Sequence, residues 1–116
     1  MRHGNHNRKF GRPKNQRLAL MRSLAESLIL RGRIKTSEAK AKELRPFVEK
    51  LITRARVKTL ANHRLLVSRL GTAARAKRLI EVVAPKYLDR AGGYTRIVKL
   101  PKRESDSSRQ ALIELV

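Results

Sequence analysis

Lysine and arginine carry nearly all the chemistry in this chain. There are 29 of them against nine acids, a formal net charge of +20 over 116 residues. A guanidinium offers a planar fork of donors that matches two phosphate oxygens, and an ammonium acts as a point charge, so the chemistry on offer is anion binding. Between Met1 and Arg17 stand Arg2, Arg8, Lys9, Arg12, Lys14 and Arg17 with no acid among them. Bond-making chemistry has little to build on. The histidines His3, His6 and His63 are scattered, and any capture of copper or nickel by His3 with a free amino terminus is incidental. The acids are dispersed among bases and give no convergent pair for acid–base catalysis. No pairing of a serine or threonine with a histidine suggests an activated nucleophile. The absence of cysteine excludes disulfides and thiolate metal sites. The expectation is a binder, with no enzymatic activity, no cofactor, no metal and no small-molecule substrate.

An excess of charge this large repels itself in a compact monomer, so the natural partner is a dense polyanion whose condensed counterions are released on binding. Nucleic acid comes first and an anionic membrane surface second. Against the membrane, no run approaches the roughly 20 apolar residues of a spanning helix. The start, MRHGNHNRKFGRPKNQR, also lacks the apolar middle of a signal peptide. The aromatics Phe10, Phe47, Tyr87 and Tyr94 are too few for a protein that stacks a strand base after base.

The elements that must position these charges follow from hydrophobic periodicity. Residues 1–16 hold three asparagines, Gly4, Gly11 and Pro13 with almost nothing to bury. They read as an extended basic arm that gains order against a partner. Residues 17–116 then form a single α+β domain, of a size for one small core. From Arg17 to Leu30, the residues Leu18, Met21, Leu24, Ala25, Leu28 and Ile29 share a helical face, and Gly32 stops the helix. Arg33 to Thr36 is a short strand. The clearest helix follows. Thr36 or Ser37 caps it and Glu38 meets the positive end of its dipole. Ala41, Leu44, Val48, Leu51, Ile52 and Ala55 recur at three- and four-residue intervals along one stripe. Its other faces are basic, with Lys40 and Lys42 among the cations, and Pro46 predicts a kink or a restarted turn.

Asn62 or His63 opens a third helix, closed by Gly71. Thr72 caps a fourth that ends at Pro85. This pair has the outline of a helix-turn-helix. Its second member carries Arg75, Lys77 and Arg78, which suit phosphate, and no Asn or Gln for an adenine edge. Two packed helices joined by a short turn is the simpler reading. Asp89 to Leu100, DRAGGYTRIVKL, then changes period, with Gly92 and Gly93 breaking the helix and strand formers following. The glycine pair lacks the spacing of a dinucleotide or P-loop motif. It reads as a tight turn, or as a place where backbone closely approaches phosphate. Residues 101–110 form a loop and Ala111 to Val116 a second strand, antiparallel to the first and joined by the strand at Ile34. About four helices packed on a small two- or three-stranded sheet is the expected architecture.

Four stretches carry a resemblance: MRH with RKFGR, TSEAKAKELRPFVEKLIT, APKYLDRAGGYTRI, and ALIELV. In this order, from Met1 to Val116, they resemble the bacterial large-subunit ribosomal protein seventeen family, with DRAGGYTRI the most specific block. The resemblance implies an α+β domain with a basic N-terminal extension. It also implies binding to large-subunit ribosomal RNA beside neighbouring large-subunit ribosomal proteins, near the polypeptide exit, with a cytoplasmic location in the ribosome, and neither catalysis nor cofactor. The residues that match the family's motifs, and are therefore the expected RNA contacts, are Arg2, His3, Arg8, Lys9, Arg12 and Arg17, then Lys40 and Lys42. Arg90, Gly92, Gly93, Tyr94, Thr95 and Arg96 complete them, with Tyr94 equally suited to the core. The loop KRESDSSRQ lacks the family's usual glycine, and Lys58 to Arg78 departs most from the family pattern. The alternative function is a free DNA- or RNA-condensing regulatory protein, which would be recovered with the nucleoid instead of with large ribosomal subunits.

Overall fold

In the computed structural model, residues 13–102, 105 and 108–116 are described. Helix α1 spans Lys14–Arg31, strand β1 Arg33–Ser37, and helix α2 Glu38–Ala55. Helices α3 (Leu60–Leu70) and α4 (Ala73–Arg78) follow, then strands β2 (Thr95–Lys99) and β3 (Gln110–Leu115). Among the described residues, no helix is long and apolar enough to cross a membrane.

The helix boundaries have local causes. α1 begins three residues earlier than its apolar face predicts, directly after Pro13, because a helix tolerates proline where no N–H partner is needed. It ends at Gly32, whose φ of 80° is left-handed and whose N–H donates to the Leu28 carbonyl at 2.8 Å. Of the two candidate caps for α2, Ser37 is the one used: its Oγ accepts from the Lys40 N–H at 3.2 Å. α2 runs unbroken through Pro46, so no turn restarts there. Pro46 lies on the exposed side, and the stripe from Ala41 to Ala55 is buried along its whole length. At ~1.5–3 kcal/mol for each fully buried large aliphatic side chain, that burial outweighs one lost helical hydrogen bond.

α3 starts at Leu60 and not at Asn62 or His63. Thr59 caps it by accepting from the Asn62 N–H at 3.1 Å, and Leu60 is 65% exposed, so periodicity gives no sign of this first turn. Thr72 caps α4 as expected, accepting from the Arg75 N–H. The fourth helix does not continue evenly to Pro85. After Arg78 it widens into a π turn over Leu79–Val83, where the Ala84 N–H reaches back to the Leu79 carbonyl. It then tightens into a 3₁₀ turn, Ala84–Tyr87, with Pro85 in its first positions. The widening buries Leu79, Val83, Ala84 and Tyr87 together.

The sheet is antiparallel with order β1-β3-β2. β3, last in sequence, sits in the middle, pairing Ile113 with Ile34 on one side and with Ile97 on the other. The face bearing Ile34, Ile113 and Ile97 packs on the helices. The opposite face turns outward with Arg33, Lys35 and Arg96. α2 is the centre of the molecule, touching α1, α3, all three strands and the π and 3₁₀ turns.

Candidate nucleic-acid interface

The segment after the 3₁₀ turn, Leu88 to Arg96, is built from beneath. Tyr94 is fully buried, its ring edge-on to Tyr87 with centroids 5.2 Å apart. Its hydroxyl lies 3.1 Å from Thr53 Oγ1 and donates to the Arg90 carbonyl at 3.2 Å. Arg56, just past α2, completes the anchorage. Its Nη1 donates to the Arg90 carbonyl at 2.5 Å and to the Tyr94 hydroxyl at 2.8 Å, and its Nη2 reaches the Leu88 carbonyl at 3.3 Å. Arg56 Nε is enclosed without a hydrogen-bond partner among the described residues. On the strand side, Glu49 of α2 accepts from Thr95 Oγ1 at 2.7 Å and from the Thr95 N–H at 3.3 Å.

Held this way, the glycine pair faces outward. Gly93 has φ 65°, which requires a residue tolerant of the left-handed region. Gly92 has no such requirement, and a side chain at either position would meet nothing within 4 Å. Gly92 is therefore demanded by neither the fold's backbone geometry nor its packing. Arg90, exposed, sits over the Tyr87 ring at 5.8 Å and donates to the Gly93 carbonyl at 3.3 Å. Burial pushes the Tyr87 phenol above its ordinary pKa, with Arg90 acting the other way. Arg96 is exposed and lies against Glu114, its Nε at 2.7 Å from the carboxylate.

The expected contacts thus divide by place. Arg90, Gly92 and Gly93 lie together at the turn and Arg96 is exposed on the outer face of the sheet, whereas Tyr94 and Thr95 are buried and support the turn from inside. Of its two possible roles, Tyr94 takes the core one. Lys42 is exposed and bonded to Glu38 at 3.0 Å, with Lys99 3.7 Å from the same oxygen. The Lys42 hydrogen bond is the main reason the Glu38 carboxyl is held below its ordinary pKa, with burial opposing it. Lys40 is half-buried in the first turn of α2, and Arg17 lies in α1. Arg2, His3, Arg8, Lys9 and Arg12 lie outside the described residues.

Arg56 and Glu49 are the positioning residues that motif matching misses. Neither stands near the glycine block in sequence, and Arg56 reaches it across more than 30 positions. The only advance sign is that Arg56 follows directly on the buried stripe of α2, so its stem starts at the core edge.

Comparison with known proteins gives the family. The family model described as Ribosomal protein L17 matches residues 20–116, from α1 through the last strand. The chain is 51% identical over 116 residues to the large ribosomal subunit protein bL17 of Gemmatimonas aurantiaca, covering 100% of this chain and 98% of that protein. It is 48% identical over 120 residues to the bL17 of Nautilia profundicola, with 100% and 98% covered, and 51% identical over 117 residues to that of Hydrogenobaculum sp., with 100% and 99% covered. These relatives are ribosomal proteins and not enzymes, in keeping with a site made of cations and glycines. Matched from α1 to β3 at about half identity, the chain belongs to the ribosomal protein L17 family, the bL17 proteins of the large ribosomal subunit.

Proposed function

We propose that this protein is a structural constituent of the large ribosomal subunit that binds its ribosomal RNA through phosphate-directed basic contacts. The cytoplasm, where ribosomes translate, is its place of work, and neighbouring large-subunit proteins are its further partners. The observation that carries the reading is the disposition of charge. Glu26 pairs with Arg75, Glu38 with Lys42, and Glu114 with Arg96, while Glu49 is turned onto buried Thr95. Basic side chains far outnumber these acids, and the surplus lies on the surface, beside a glycine turn open to close backbone approach. Such a body recognises folded RNA by shape and phosphate position and needs no base code. The residues before α1 act as the basic arm that reaches where a globular surface cannot, and the body from α1 onward as the domain that docks.

The test is cross-linking of the tagged protein to RNA in growing cells, with sequencing of the attached fragments. Cross-links concentrated at a few places in large-subunit ribosomal RNA are expected. Scatter over messenger RNA, or a predominance of DNA, would leave family membership standing and overturn the proposed role.

A further inference from the structure

Two clefts on the helical side of the molecule are one groove. The first lies between α2, α3 and the glycine turn, with Arg54, Leu65, Ala91 and Gly92 on its walls. The second lies between α1 and α2, with Lys14, Arg17, Met21 and Phe47. They share Lys50, Leu51 and Arg69, so the depression is continuous across α2. Its parts, about 580 and 390 Å³, fall within the ~300–1,000 Å³ typical of clefts that take up ligand-sized groups.

We infer that this groove seats an unpaired segment of RNA, running from the start of α1, where the basic arm joins, to the glycine turn. The inference rests on the RNA-binding reading proposed above and names the form of RNA and further residues that hold it. Charge identifies the occupant. Lys50, Arg54 and Arg69 have no ion-pair partner among the described residues, and Lys14 adds a fourth cation at the far end. Two acids, Glu49 and Glu43, also line the groove, and neither is free: Glu49 is bonded to Thr95 and Arg45, and Glu43 is engaged as well. A basic groove repels both the chain's own basic arm and a basic neighbour, and it attracts a phosphate backbone. The floor decides between paired and unpaired RNA. Met21, Phe47 and Leu51 give an apolar strip between the cations. A duplex presents phosphates and 2′-hydroxyls there, whereas an unpaired strand can turn a base onto it. One ring, Phe47, accommodates one stacked base, so most of the affinity comes from the phosphates. The open space over Gly92 lies at the groove's end, where a strand leaving it passes against bare backbone.

Because the chain has no cysteine, a single Ala91→Cys change gives one attachment point for an iron chelate at the groove wall, and Ala73→Cys gives one off the groove. The full-length variants are bound to deproteinised large-subunit RNA and the cleavage sites of the tethered hydroxyl radical are read. In parallel, the double variant Lys50→Ala with Arg69→Ala is compared with Lys77→Ala with Arg78→Ala, an equal change of charge on exposed α4. Melting curves establish that both doubles fold. The expected result is cleavage from position 91 at unpaired nucleotides. The groove double should also bind about tenfold more weakly, its salt slope reduced by about 0.7 for each lost phosphate contact. The α4 double should lose less than half as much. If the intact chain binds this RNA tightly but the groove double binds as well as the α4 double, or cleavage from position 91 falls only in duplex, the groove is not the seat and the RNA-binding reading survives. If the intact chain fails to bind, both fall together.

Discussion

Two glycine turns in this molecule have opposite fates. At Gly71, between α3 and α4, the backbone is left-handed at φ 93° and the turn is closed over by side chains. Arg22 donates to the carbonyls of Ser68 at 2.8 Å and Arg69 at 3.0 Å, and Arg75 donates to that of Leu70 at 2.8 Å. These cations satisfy the carbonyls that the last turn of α3 leaves without helical partners, and they complement its dipole. Arg75 is bound to Glu26 as well. At Gly92 and Gly93 the supporting cation, Arg56, also holds carbonyls, but from beneath, and the outer side of the turn is left open. The difference teaches that a basic residue beside a glycine turn has two uses here. It caps the protein's own carbonyls and either covers the turn, as Arg22 does at Gly71, or leaves the outer side open, as Arg56 does at Gly92 and Gly93. The Gly71 turn, which joins the pair with the outline of a helix-turn-helix, is of the covered kind.

The comparison can be broken most forcefully at Arg56. Replacing it by Ala removes a guanidinium that holds two carbonyls and the Tyr94 hydroxyl, and should cost about 2 kcal/mol in denaturant unfolding, since hydrogen bonds to charged groups contribute roughly 1.5–3 kcal/mol. A loss below about 0.5 kcal/mol would show that the Leu88 to Arg96 segment does not depend on this anchor. A smaller effect is expected from alanine at the left-handed glycines. Gly71→Ala and Gly93→Ala should each lose about 1–2 kcal/mol from backbone conformation. Gly71→Ala should lose the more of the two, because its new Cβ meets the Arg22 side chain at 3.3 Å whereas that at Gly93 meets nothing. Equal melting temperatures for the two variants would contradict the contrast between a covered and an open turn. The smallest effect on stability belongs to Gly92→Ala, within about 0.5 kcal/mol of the parent protein. If backbone approaches phosphate there, this variant should still bind RNA measurably more weakly, so its melting curve and its RNA titration are to be measured together. Unchanged binding would reduce Gly92 to a turn residue.

Much of the architecture was legible before any coordinates. The stripe from Ala41 to Ala55, the stop at Gly32, a cap at Thr36 or Ser37, the cap at Thr72, and the change of period at Gly92 are local signals, each written within a few residues. Interactions that join distant parts of the chain were not legible. Nothing near Arg22 in sequence announces the end of α3, 47 residues away, and nothing near Glu49 announces Thr95, 46 residues away. The π turn after Arg78 was hidden because its apolar residues still fit a helical period while the backbone widens to bury them. Thr59 was passed over because the turn it opens carries an exposed leucine. Within the candidate site, the motif marked the right stretch of chain but not the division of labour within it, since matching cannot tell a buried Tyr94 from an exposed Arg90.

The sequence by itself determined the sign and size of the charge, the helical stripes and strand runs that require an α+β body, and, through its motifs, membership of a ribosomal protein family. Tertiary structure alone decided that β3 lies between β1 and β2, that Arg22, Arg56 and Arg75 serve the protein's own carbonyls, and that Lys50, Arg54 and Arg69 line a common groove. The reason is one of range. Periodicity, caps and net charge arise from neighbours in sequence. Whether a given cation is engaged or available depends on which groups folding brings within a few ångströms of it.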